Sequence, residues 1–186
     1  MSELRTQIGG KFSRYNIGLF EIKLQLVKAG IIVDYPSGNS IVKTVKGVDL
    51  SFDPDLSSLN FYEVEKEYLK AIRRSSFHTV CNVFKNDKGY VGRSNGMEIG
   101  YAMLHSVPVL CLYTPSFQRS IVPDVHKLLN SRIDLFKILR VDHLSKRDLL
   151  DNLERIAECR VDYKLSVEEE ITVMDYVREV LSEYQP

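Results

Sequence analysis

An open α/β domain, with helices on both faces of a five-stranded parallel sheet in the order 2-1-3-4-5, is the fold this sequence predicts. Three observations lead to it. Short apolar runs alternate with stretches of helical periodicity along the chain. The first such pair is separated by a glycine turn, Gly9-Gly10-Lys11-Phe12-Ser13-Arg14, which makes a strand-turn-helix unit. The 186 residues, 44% of them hydrophobic, suit a single domain with a sizeable core.

Leu4 to Gly9 reads as the first strand. Ile17, Phe20, Leu24 and Val27 then recur at helical spacing and predict the first helix with these residues on its apolar stripe. Gly30 ends it, as a left-handed residue commonly does. Ile31 to Tyr35 is a second strand, closed by Pro36-Ser37-Gly38 and expected parallel to the first. From Ile41 to Asp53 the pattern changes: Val48, Leu50 and Phe52 alternate with polar neighbours after Lys46-Gly47, which suits a hairpin or edge excursion.

Phe61 to Arg74 predicts a helix with Phe61, Val64, Tyr68 and Ala71/Ile72 on one face and Glu63, Lys66, Glu67 and Lys70 elsewhere, so Tyr68 looks inward. Phe77 to Val83 follows as a central strand, then a helix from Gly96 to His105 with Glu98 in its first turn. Val107 to Tyr113 is the most apolar strand, and Phe136 to Val141 the fifth. A helix is expected from Ser145, where Ser145-Lys146-Arg147-Asp148 has the form of a capping box, and a last one near Ser166 with Glu169 as reciprocal cap. In such sheets ligands bind beyond the carboxyl ends of the strands, near the reversal of strand order. The loops 9–16, 82–98 and 113–120 are therefore the candidate site loops.

Composition narrows the function. Lysine plus arginine equals aspartate plus glutamate at 25 each, so no basic field draws in a nucleic-acid polymer. Cys81, Cys111 and Cys159 are odd in number and far apart, which fits a reducing compartment. No charged-then-apolar leader opens the chain and no apolar run approaches ~18 residues, so the expectation is a soluble cytoplasmic protein without membrane partners. His78, His105, His126 and His143 share no short ligand spacing, so neither a metal nor a cofactor is expected. Ser13 and Ser94 lack the Gly-x-Ser-x-Gly turn of a hydrolase nucleophile, and the first loop lacks the full Gly-x-Gly-x-x-Gly of a dinucleotide fold.

The most informative segment is Asn82 to Ala102. A strand ends in Asn82, the chain passes through Lys88-Gly89-Tyr90-Val91-Gly92-Arg93-Ser94, and a helix opens at Gly96-Met97-Glu98-Ile99-Gly100-Tyr101-Ala102. On the residues alone, Glu98 is either a first-turn glutamate complementing the helix dipole or a carboxylate presented to a ligand, ionised in both cases by the helix amino terminus. The first loop is either a tight turn or a phosphate cradle with Ser13 and Arg14 as donors. Arg93 and Ser94 either reach a ligand or, for Arg93, stand in solvent.

Gly-x-Glu-Ile-Gly-Tyr-Ala after a strand and a glycine-rich loop resembles the signature of the nucleoside 2-deoxyribosyltransferase-like enzymes. The resemblance covers roughly residues 4 to 115, and Gly89-Tyr90-Val91-Gly92-Arg93-Ser94 is similar to the Gly-Tyr-Ile-Gly-Lys-Ser loop of a prokaryote-type branch. It implies a flavodoxin-like, Rossmann-like three-layer fold. It implies Glu98 as a nucleophile at an anomeric carbon, where an oxocarbenium-like state is trapped or stabilised by a carboxylate. It implies Gly9, Gly10, Lys11, Phe12, Ser13 and Arg14 around the sugar and a 5′-phosphate. Asn82, Gly89, Gly92, Arg93, Ser94 and Met97 would complete the substrate site.

Two positions depart from the better-known members. Tyr68 stands where they carry an aspartate that handles the base, and Gln7 where they carry an aromatic residue near the sugar. Tyrosine, with a reference pKa near ~10, is a poor proton shuttle at neutral pH unless perturbed. The resemblance therefore supports two readings. One is an enzyme that cleaves or transfers at the N-glycosidic bond of a nucleoside or nucleoside 5′-monophosphate. The other is a binding or sensing module of the same fold that turns over weakly. Either implies a small-molecule nucleoside or nucleotide as ligand and a homodimer or larger homo-oligomer, with residues near 115–125 as candidate contacts.

Overall fold

The computed structural model describes residues 3–10, 17–35, 41–45, 48–52, 59–139, 146–158 and 161–185. In chain order the elements are β1 (Arg5–Gly10), α1 (Ile17–Ala29), β2 (Ile32–Val33), the hairpin β3 (Ile41–Val45) and β4 (Val48–Phe52), then α2 (Phe61–Arg74) and β5 (Phe77–Cys81). Three short strands follow, β6 (Val83–Phe84), β7 (Asp87–Lys88) and β8 (Tyr90–Val91), then α3 (Arg93–Leu104), β9 (Val109–Cys111) and β10 (Ser116–Phe117). The chain continues through α4 (Pro123–Ser131), a single 3₁₀ turn at Ile133–Leu135, β11 (Lys137–Ile138), α5 (Lys146–Glu158) and α6 (Val167–Ser182).

Five strands form the sheet β11-β9-β5-β1-β2, every neighbouring pair parallel. Counted along the chain these five are in the order 2-1-3-4-5, and the alternation of strands and helices predicts that order. β1 and β5 are the centre, in register from Thr6 opposite Phe77 to Gly10 opposite Cys81. β2 is short, but Asp34 N–H donates to Thr6 O and Ile8 N–H to Tyr35 O, so the pairing runs to Tyr35.

Two cores lie on opposite faces of the sheet, which makes the Rossmann-like three-layer arrangement. One packs Leu19, Ile22 and Leu26 of α1 and Leu149 and Leu153 of α5 on Ile8, Phe77 and Leu110. The other packs α3, α4 and α6 on Val80, Val109 and Cys111. Within it the Tyr163 hydroxyl donates to Val107 O and accepts from Val109 N–H, pinning the segment before α6 to β9.

Local signals hold where they are strong. Gly30 has φ +92° and closes α1. Asn60 and Glu63 form a reciprocal capping box on α2, and Ser166 and Glu169 form the expected one on α6. The Ser145 cap lies outside the described residues.

Three expectations change. The stripe on α1 is Leu19, Ile22, Leu26 and Ala29, whereas Leu24 and Val27 are 53% and 50% exposed. The helix is apolar on most sides, so periodicity alone does not select a face, and packing against β1 and α5 does. α4 stands where no helix was expected, opened by Pro123 in its first turn and buried through Val125, Leu128 and Leu129. Finally, α3 starts at Arg93, three residues before Gly96, with Gly92 as its N-cap.

Candidate active site

The early start of α3 relocates Glu98. The first turn of α3 holds no acidic residue, and Glu98 is the sixth residue of the helix, in its second turn. It therefore points into the seam between helix and sheet, 4% exposed, instead of standing at the amino terminus. The expected ionisation by the helix dipole fails for the same reason, since that field fades within the first turn.

β1 and β5 supply the floor of the seam. Side chains alternate across a sheet, so Gln7, Gly9, His78 and Val80 share the face turned to α2 and α3. Gly9 lies directly under the Glu98 carboxyl: a Cβ there would collide with Glu98 Oε2 and come within 3.1 Å of the His78 ring. The missing side chain is what allows the carboxyl to sit on the sheet.

His78 is fully buried, with Nδ1 3.2 Å from Gln7 O and Nε2 3.6 Å from Glu98 Oε2. A carbonyl only accepts, so Nδ1 carries the hydrogen and Nε2 presents a lone pair. Burial pushes the imidazole down to about 4, against the backbone hydrogen bond to Gln7, so His78 is neutral at pH 7.

A second carboxyl comes from α2. Burial raises Glu65 to about 7. Glu98 is raised well above the usual carboxylate range, first by burial and then by the charge of Glu65. Four side-chain atoms of this seam, Gln7 Oε1, Glu65 Oε2, His78 Nε2 and Glu98 Oε2, are buried without a hydrogen-bond partner among the described residues. Buried polar atoms are nearly always paired, so such a cluster makes the seam the candidate site.

Tyr184, just beyond α6, closes the seam. Its hydroxyl meets Ser94 Oγ at 3.1 Å, its ring stacks on Phe61 at 6.0 Å, and its pKa is raised by burial, with Glu65, Glu183 and Glu98 adding to the rise against the Ser94 hydrogen bond.

The other expected residues fall into place around this centre. Asn82 is a clamp: its Oδ1 accepts from Leu112 and Tyr113 N–H at 3.0 and 3.1 Å, and its Nδ2 donates to Tyr113 O at 2.7 Å. Gly89 has φ +96°, and a Cβ there would lie 2.5 Å from Thr114 O. Its backbone, with the pairing of β8 to β10, joins loops 82–98 and 113–120 into one rim. Gly92 caps α3, Met97 is core, and Gly10 packs between Leu19 and Cys81.

Arg93 is partly exposed and turns to α6. Its guanidinium pairs with Glu179 and Glu183 at 2.6 and 2.7 Å, while Tyr176 donates to its carbonyl, fastening α3 to α6. Tyr68 packs inward with Val64, its ring 5.2 Å from that of Tyr35. The acidic neighbour of Glu98 on α2 is thus Glu65, one turn before Tyr68. Lys11, Phe12, Ser13 and Arg14 lie outside the described residues.

Glu65, His78 and Tyr184 were not singled out by the sequence reading. Glu65 was legible, since a carboxylate on the stripe Phe61, Tyr68/Leu69, Ile72 is out of place unless used. His78, in the apolar run Phe77 to Cys81, gives the same signal more weakly.

Among the described residues no group of three His, Cys, Asp or Glu side chains is placed to hold a metal ion, and no helix is long and apolar enough to cross a membrane. Phe117, Ile121 and Val125, in the segment expected at a subunit contact, are buried within this chain. Comparison with protein-family models, curated proteins and solved structures finds no match.

Proposed function

We propose that the protein cleaves, or transfers across, the N-glycosidic bond of a nucleoside or nucleoside 5′-monophosphate, with Glu98 as the nucleophile. One observation carries this reading: two carboxyls, Glu98 and Glu65, share a buried seam in which both are raised. Like charges in a low dielectric do not both ionise, so one carboxyl can keep its proton as an acid while the other gives its proton up. Displacement at an anomeric carbon asks for that division: one carboxylate to meet the oxocarbenium-like centre, one acid to protonate the leaving base. Glu65 takes the second role, which the sequence had left to Tyr68. The alternative, a binding or sensing module of low turnover, is favoured by the depth of Glu98, only 4% exposed. The nucleoside reading carries with it a homodimer or larger assembly and a cytoplasmic setting.

The test is incubation with nucleosides and nucleoside monophosphates, with and without a second free base, following released base by chromatography. Wild type should release base and Glu98→Ala should not; dependence on the acceptor base separates transfer from hydrolysis. Binding without release from any member would transfer the case to the sensing module.

A further inference from the structure

A buried carboxyl that rests protonated is a poor nucleophile, and the seam holds a group that answers this. We propose that His78 is the positioning residue that holds the Glu98 proton: a single proton lies between His78 Nε2 and Glu98 Oε2, resting on Glu98 with the imidazole as its acceptor.

The hydrogen-bond inventory leads there. Nδ1 donates to Gln7 O, so Nε2 offers only a lone pair, and Glu98 Oε2 stands 3.6 Å away. Neither atom has another partner among the described residues. Without a proton, two lone pairs would oppose each other in a buried seam. With one, both atoms are satisfied after a movement of roughly half an ångström. The neutral pair avoids the desolvation cost of a buried ion pair, so the proton stays on Glu98 at rest. The lowered basicity of His78 and the raised carboxyl of Glu98 agree. Among the described residues, the titratable and charged groups around the pair are Glu65 from α2 and Tyr184 beyond α6, with Arg93 at the head of α3 tied to Glu179 and Glu183 of α6.

The catalytic consequence rests on the glycosidic reading above. As the Glu98 O–H bond breaks and the His78 Nε2–H bond forms, the carboxylate bonds to the anomeric carbon. The bond from that carbon to the base breaks, and the base nitrogen takes its proton from Glu65. Water then attacks the anomeric carbon and loses a proton to Glu65, and His78 returns its proton to the released Glu98. Imidazolium and the Glu65 carboxylate coexist between the two halves, so the site gains no net charge.

Nuclear magnetic resonance of the full chain tests this without any substrate, using ¹⁵N-labelled histidine and glutamate labelled at the side-chain carboxyl carbon, with His78 and Glu98 variants for assignment. At pH 7 wild type should show His78 as the Nδ1–H tautomer with unprotonated Nε2, and Glu98 as the neutral acid. A doubly protonated His78, an Nε2–H tautomer, or an ionised Glu98 would overturn the proposal. The variants add a direction. His78→Phe removes the acceptor that stabilises the protonated acid and should lower the Glu98 titration midpoint by about one pH unit, and His78→Asn, whose amide can donate to the carboxylate, should lower it as well. An unchanged or raised midpoint in His78→Phe would mean His78 acts only as packing. Absence of base release in the nucleoside panel, with these signals intact, would remove the glycosidic reading and leave the proton pair standing.

Discussion

At the scale of the residue, Gly9 and Asn82 shape the surroundings of Glu98. Gly9 leaves room for the Glu98 carboxyl on the sheet, and any side chain there meets Oε2 directly. Gly9→Ala should cost about 1–3 kcal/mol in urea unfolding, as overpacking does, and abolish whatever base release wild type shows. Asn82 holds three backbone groups of Leu112 and Tyr113. Asn82→Ala strands them, and a loss of about 2–4 kcal/mol is expected from the same measurement, several times that of an ordinary surface change. Glu98 and Ser94 lie in the segment 82–102 and Gly9 at the first glycine turn, both local patterns of the sequence. Glu65 and His78 reach the seam from α2 and β5, and only the packing of those elements brings them together.

At the scale of the element, ends and faces are legible where the local pattern is one-sided, as on α2, where Val64, Tyr68, Ala71 and Ile72 form the expected buried face. Gly30, Asn60 with Glu63, and Ser166 with Glu169 mark helix ends through bonds made within a few residues, so the sequence contains both partners. The face of α1 is different, because most of that helix is apolar. The structure makes Leu26 core and Leu24 surface. Leu26→Ala should therefore cost about 2–5 kcal/mol, while Leu24→Ala stays within about 0.5 kcal/mol, and thermal melts of the two variants decide between the faces. The start of α3 belongs here too. With Gly92 as N-cap, Arg93 enters the helix and turns to Glu179 and Glu183, and Glu98 moves one turn deeper.

At the scale of the whole molecule, the seam couples stability to pH. Glu98 binds its proton more tightly folded than at its ordinary 4.5, so its contribution is full below that value and is lost as pH rises through the raised one. Glu65 acts in the same sense between 4.5 and about 7. His78 has the opposite sign: lowered from 6.5 to about 4, its contribution is full above 6.5 and is lost as pH falls toward 4. Glu98→Gln should therefore gain on wild type as pH rises from about 5 to 8, measured by urea unfolding at each pH, and a constant difference would contradict the buried acid. By itself the sequence determined the α/β alternation, the helix ends at Gly30 and Ser166 and the segment that holds Glu98, because each of these is written in neighbouring residues; the strand order it predicts is made by distant pairings such as Thr6 with Phe77. Only the tertiary structure decided which way α1 faces, how deep Glu98 lies, and that Glu65, His78 and Tyr184 gather around it. Those outcomes depend on contacts between elements far apart in the chain, and no local pattern records which side chain another element will meet.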